Sequence, residues 1–114
     1  MGVDARSSAP AAPVTPRVGA ALTGDPPAGA GLTGEEVYAI ALAVSGDAEW
    51  ASWVVALTWC EARWRTDAVG VLGEQGLAQV RPDYHGAVPP DAWGQIEQLR
   101  RLHAQHGPGI WSCA

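Results

Sequence analysis

Apolar residues recur at helical spacing in three stretches, and the most continuous of them runs from Ala48 to about Trp64. Wound at 3.6 residues per turn, it places Trp50, Trp53, Val54, Leu57, Glu61 and Trp64 on one side. Ser52, Val55, Ala56, Trp59 and Ala62 fall on the other, with Ser52 small enough to bond back to a carbonyl one turn earlier. The helix is apolar nearly all round until Arg63, the pattern of a central element with neighbours on both sides. Glu61 is the only charge on its stripe. Burial there, and a place in the last helical turn where the dipole disfavours negative charge, both favour the protonated carboxyl. A protonated carboxyl near neutral pH can donate a proton to a leaving group.

The two other periodic stretches flank this helix. Leu32-Thr33-Gly34-Glu35-Glu36-Val37 carries a capping box, Thr33 with Glu36, and a hydrophobic staple, Leu32 with Val37, so a helix starts at Gly34. Val37, Ile40, Ala41 and Val44 give it one apolar face. Gly46 ends it and Asp47 caps the central helix after almost no loop, which predicts a sharply packed helical pair. The last helix runs from Ala92 to about His106, with Ala92, Trp93, Ile96, Leu99, Arg100, His103 and His106 on or near one side. Glu97 and Arg101 form an i, i+4 pair on its exposed side, and Gly107-Pro108-Gly109 stops it.

Between Trp64 and Ala92 the helical period is lost. Val69 to Leu72 and Leu77 to Val80, separated by Gly73-Glu74-Gln75-Gly76, predict a short irregular hairpin. Strand alternation would then bury only one of Leu77 and Val80. Pro82-Asp83-Tyr84-His85-Gly86 predicts a single helical turn, and Pro89-Pro90-Asp91 restarts the chain. The expected fold is mainly α, a small helical domain around a buried central helix with a hairpin beside a cleft.

Composition divides the chain. More than half of residues 1–32 are Ala, Pro or Gly without an apolar period, which predicts a disordered arm or linker ahead of one domain over 33–114. Pro10, Pro13 and Pro16 break the region where a signal peptide would need its apolar core. No stretch is long enough to span a membrane. Twelve acidic residues face seven Arg, for a net charge of −5. That balance argues against nucleic acid or anionic lipid as partner, since phosphate binding needs a positive surface. Six Trp in so short a chain suit either a core or the stacking faces of sugars. Cys60 and Cys113 leave pairing and free thiols both open. Pairing would add about 4 kcal/mol through loop entropy and would fit an oxidising compartment. Cys60, His103 and His106 are too few for a metal site, so no metal is expected.

Four segments in order carry a resemblance: Trp59-Cys60-Glu61-Ala62-Arg63-Trp64, Asp67-Ala68-Val69-Gly70, Gly76-Leu77-Ala78-Gln79-Val80, and Gly107 to Cys113 as GPGIWSC. Together they resemble the lysozyme-like superfamily, in particular lytic transglycosylases and small phage or actinobacterial muralytic domains. The resemblance covers roughly residues 33 to 114. It implies that Glu61 is the catalytic acid/base and that Gly76, Leu77 and Gln79 form the facing wall of a sugar cleft. It also implies that Cys60 pairs with Cys113.

The activity so implied is cleavage of the β-1,4 bond between N-acetylmuramic acid and N-acetylglucosamine, without a cofactor, by a monomer acting outside the cytoplasm. The partner would be peptidoglycan glycan strands. Tyr84 and Trp111 are candidates to border the cleft, Trp111 either as a lid on the bundle or as a sugar platform. Glu74 is the candidate second carboxylate that a two-carboxylate hydrolase needs. Without it, one Glu serves first as acid and then as base, and the substrate's own 6-hydroxyl closes a 1,6-anhydro product. Two positions depart from the family: Ala62 stands where a Ser usually follows the Glu, and Ala78 where a bulkier residue is usual. Both keep open a second reading, a glycan-binding or structural module of a virion or cell-wall protein that has lost catalysis.

Overall fold

The computed structural model describes residues 30–114, so nearly all of the arm expected over residues 1–32 lies outside the described residues. Residues 34–114 form one compact unit. It is mostly helical, with α1 over Gly34–Ser45, α2 over Ala48–Ala62, α3 over Pro82–His85 and α4 over Ala92–His106, then a 3-10 turn over Pro108–Ile110. Among the described residues no helix is long and apolar enough to cross a membrane.

The boundaries follow local chemistry. Gly46 takes φ 68° and its N–H bonds Leu42 O at 2.7 Å, closing α1 in a conformation that a side chain would resist. Asp47 is extended and its Oδ1 accepts the N–H of Trp50 at 3.0 Å, opening α2 after a two-residue link. Asp91 likewise caps α4 through Gly94 N–H at 3.1 Å. Gly107, at φ 73°, ends that helix with its N–H on His103 O. The short link leaves α1 packed on α2, and α1 also meets α4. Val37, Ala41, Val54, Leu57, Ile96 and Leu99 meet in the core with almost no exposure.

α2 departs from the expected stripe in two ways. Trp50, Ala51, Val54, Leu57, Thr58 and Ala62 are buried, whereas Ser52 and Ala56 are exposed and Trp59 keeps 46% of its surface. The helix therefore has one wide buried face and one solvent face, not neighbours on both sides. The back-bonding hydroxyl is that of the fully buried Thr58, which donates to Val54 O at 2.7 Å. Second, the helix stops at Ala62. Arg63 and Trp64 both adopt left-handed backbone, φ 52° and 60°, and the Arg63 N–H bonds Trp59 O. Trp64 thus leaves the line of Glu61 and turns back along α2, where its indole N–H donates to Val55 O at 3.0 Å. The ring covers Gly34, where an added Cβ would stand 2.8 Å from it.

The expected hairpin is reduced to two isolated bridges, Val69 with Gln75 and Gln75 with Val80. Gln79 at φ 48° breaks the extended backbone between Leu77 and Val80. Strand alternation no longer applies, and both residues are buried, at 0% and 4% exposure. On α4 the buried side is Gln95, Ile96, Gln98, Leu99 and Leu102. His106, expected on that side, is exposed. Glu97 accepts the indole N–H of Trp93 at 3.2 Å.

Candidate active site

Glu61 stands in the last turn of α2, as its spacing requires. Its side chain is half-buried, and Oε2 accepts the backbone N–H of Cys113 at 3.2 Å. The isolated buried charge expected from the apolar stripe is therefore replaced by a carboxyl on the rim of the core with a backbone donor. Cys113 is brought there by a disulfide to Cys60, the residue before Glu61, with the two Cα atoms 6.0 Å apart. The pairing left open by the residues and implied by the resemblance is thus present.

Three expected substrate contacts, Gln79, Tyr84 and Trp111, line one pocket of about 250 Å³ together with Arg81, His85 and Ile110. Glu61 does not line this pocket; the carboxyl bonds Cys113, which lies two residues along the chain from Trp111. The individual roles differ from those expected. Trp111 is 6% exposed and its indole N–H donates to Ala78 O at 2.9 Å, so it packs the pocket floor and offers no open stacking face. Gln79 spends its amide N–H groups on Ala68 O and Gly76 O, at 3.2 and 3.0 Å. Tyr84 is 70% exposed and carries the Arg81 guanidinium 4.3 Å over its ring. Arg81 also grips Asp83 through two hydrogen bonds of 2.6 and 3.1 Å. Those bonds first, with the opposite charge of the other group assisting, hold the Asp83 carboxyl below its ordinary range and raise Arg81 above its own.

Gly76 and Leu77 lie elsewhere. Both are buried, and the N–H of Leu77 is taken by Gln95 Oε1 at 2.7 Å. Gly76 has φ 80°, and an added Cβ would meet the Gln95 amide at 2.7 Å. The pair is thus clamped to α4. Gly76 and Gln95 border a second depression of about 230 Å³ with Thr66, Asp67, Val88 and Pro89. Glu74 is half-buried, and its Oε1 accepts the N–H of Leu72 at 2.9 Å while its carbonyl accepts that of Gly70 at 2.8 Å. Its carboxylate holds the tight turn whose tip, Val71, is fully exposed.

Most of the tryptophan complement is used for packing. Trp50 donates its indole N–H to His103 Nδ1 at 3.2 Å, and the imidazole lies 4.6 Å from the Trp53 ring, which in turn meets Trp111 edge-on at 5.8 Å. On the opposite side of α2, Trp59 pairs with Trp64 at 4.7 Å under the Arg63 guanidinium. His103, expected on or near the apolar side of its helix, packs against the rings of Trp50, Trp53 and Trp111. Among the described residues no three His, Cys, Asp or Glu side chains cluster as a metal would require.

Three contributors to this geometry lie outside the expected set of site residues. The Cys113 N–H is a backbone donor and carries no side-chain signature. Arg81 stands alone between turns. Gln95 does leave a trace, because it is a polar residue beside Ile96 and one turn before Leu99, inside an apolar face. No family model matches the chain, and neither a curated protein nor a solved structure matches it.

Proposed function

We propose that residues 33–114 form a lysozyme-like domain that cleaves the β-1,4 bond between N-acetylmuramic acid and N-acetylglucosamine in peptidoglycan, with Glu61 as general acid/base. The observation that carries this reading is the placement of Glu61: a half-buried carboxyl in the last turn of α2, with one oxygen fixed by the Cys113 N–H. Because Oε2 is an acceptor in that bond, the transferable proton belongs on Oε1. Oε1 gives it to the glycosidic oxygen as the bond to the muramic acid C1 breaks. The resulting carboxylate then takes the proton of the attacking hydroxyl.

The commitment of Glu74 to its turn favours a one-carboxylate route, in which the substrate's N-acetyl group assists and its 6-hydroxyl closes a 1,6-anhydro ring. Of the expected wall residues Gly76, Leu77 and Gln79, only Gln79 borders the pocket, and its amide N–H groups, like the Leu77 N–H, are engaged within the fold. That same engagement supports the second reading, a glycan-binding or structural module of a virion or cell-wall protein. Mass spectrometry of peptidoglycan incubated with the protein separates the readings. Anhydro ends support transglycosylation and new reducing ends support a muramidase. Intact polymer that retains the protein supports the binding module.

A further inference from the structure

Glu61, Cys60 and Cys113 form a small closed ring. The peptide bond joins Cys60 to Glu61, the disulfide joins Cys60 to Cys113, and the Cys113 N–H returns to Glu61 Oε2 at 3.2 Å. Two of these three links are covalent, so the donor is held against the carboxylate by geometry and needs no packing of its own. Cys113 is half-buried between the exposed Ser112 and Ala114, and a turn closed by the Ala114 N–H on Trp111 O at 3.2 Å ties it to the buried Trp111. Ala62, which follows Glu61, has no hydroxyl with which to orient the acid.

We propose that the Cys60–Cys113 disulfide is a redox latch on the acid: it positions Glu61 through the Cys113 N–H, and its reduction releases that donor and lowers turnover. The inference rests on the reading of Glu61 as general acid. Cys60 is exposed, which gives a dithiol reductant access to the bridge. A thiolate of the reductant attacks one sulfur and displaces the other as a thiolate. Its second thiol then resolves the mixed disulfide. Two electrons and two protons pass from the dithiol to the protein, leaving two cysteine thiols and the oxidised cyclic reductant. Cys113 then keeps its turn to Trp111 but loses its tie to α2, and the carboxyl of Glu61 gains rotamers in which Oε1 no longer faces a bound glycosidic oxygen.

The test measures turnover on one peptidoglycan preparation for the oxidised protein, the protein reduced with dithiothreitol, the Cys60→Ser/Cys113→Ser double variant and Glu61→Gln, with circular dichroism reporting the fold. The reduced but folded protein should lose roughly 10-fold or more in kcat with KM little changed, and should recover on reoxidation. The double variant should match the reduced protein and ignore dithiothreitol. Parent kcat in the reduced, folded protein, with Glu61→Gln inactive, overturns the latch and leaves the glycosidase reading standing. Parent turnover in Glu61→Gln overturns the glycosidase reading instead. Where reduction unfolds the chain, the oxidised protein decides by NMR. The Cys113 amide should be protected from exchange, and in Glu61→Ala it should lose that protection while its proton resonance moves upfield. An amide indifferent to Glu61→Ala overturns the latch.

Discussion

Gln95 reaches from α4 to accept the backbone N–H of Leu77 at 2.7 Å, and the same amide donates to Thr66 O at 3.0 Å and Pro89 O at 2.9 Å. One side chain, 3% exposed, thereby pins three segments of the irregular region to a regular helix. A region with only isolated bridges has few backbone partners of its own, so this clamp stands in for a sheet.

Gln95→Leu should therefore cost about 3 kcal/mol or more, since each buried polar group that loses its partner costs about 1–3 kcal/mol. Gln95→Glu should not rescue it, because the carboxylate keeps the acceptor for Leu77 but loses both donors. Urea denaturation gives the measurement, with a lower midpoint at unchanged slope expected. A loss under about 1 kcal/mol for Gln95→Leu would show that the clamp contributes little.

His103 joins the first half of the helical unit to its last helix. In the neutral ring the bond from Trp50 places the proton on Nε2, because Nδ1 is the acceptor. His103→Ala should cost about 2–4 kcal/mol, combining the orphaned Trp50 N–H with the lost ring contact to Trp53. His103→Gln offers a carbonyl to the indole and should recover part of that loss. Equal melting temperatures for the two variants would assign the whole cost to packing and none to the hydrogen bond.

The Arg81–Asp83 pair predicts a specific acid response. Arg81 holds the Asp83 carboxyl below its ordinary range, so its stabilising contribution is present above the unfolded carboxylate pKa and is lost as pH falls through the lower folded value. Both groups lie at the surface, and salt screens them. At low ionic strength and neutral pH, Asp83→Asn should melt slightly below the parent. The gap should close on acidification below the carboxylate range and narrow in high salt. A gap that persists in strong acid would point to packing of Arg81 on Tyr84 as its source.

Where local chemistry decides structure, the sequence is informative. Asp47, Gly46, Asp91 and Gly107 act on groups within four residues, and each ends or starts the helix that its residue type predicts. The failures share a cause, which is distance along the chain or an unusual backbone angle. Trp64 fits the helical stripe by count, but two left-handed residues turn it onto Gly34. Leu77 and Val80 look like alternating strand positions until Gln79 adopts φ 48°. The donor to Glu61 lies 52 residues away and belongs to the backbone, so residue types cannot reveal it. Glu61, the proposed acid, stands out in the sequence because a lone carboxylate on an apolar stripe demands an explanation.

Glu61→Gln is the sharpest test of the proposed chemistry. The amide keeps the size of the side chain and a carbonyl oxygen that can accept the Cys113 N–H, so the ring with the disulfide persists and the fold should melt within a few degrees of the parent. What the amide lacks is a transferable proton. A general acid typically contributes ~100-fold or more, so cleavage measured by release of soluble muropeptides should fall by at least that factor. Glu74→Gln is the matched control, because its amide oxygen can still accept the Leu72 N–H and the turn survives. It should cleave at near the parent rate under the one-carboxylate route. The reverse outcome, with Glu74→Gln inactive and Glu61→Gln active, would move the catalytic acid to the turn and remove Glu61 from the reaction.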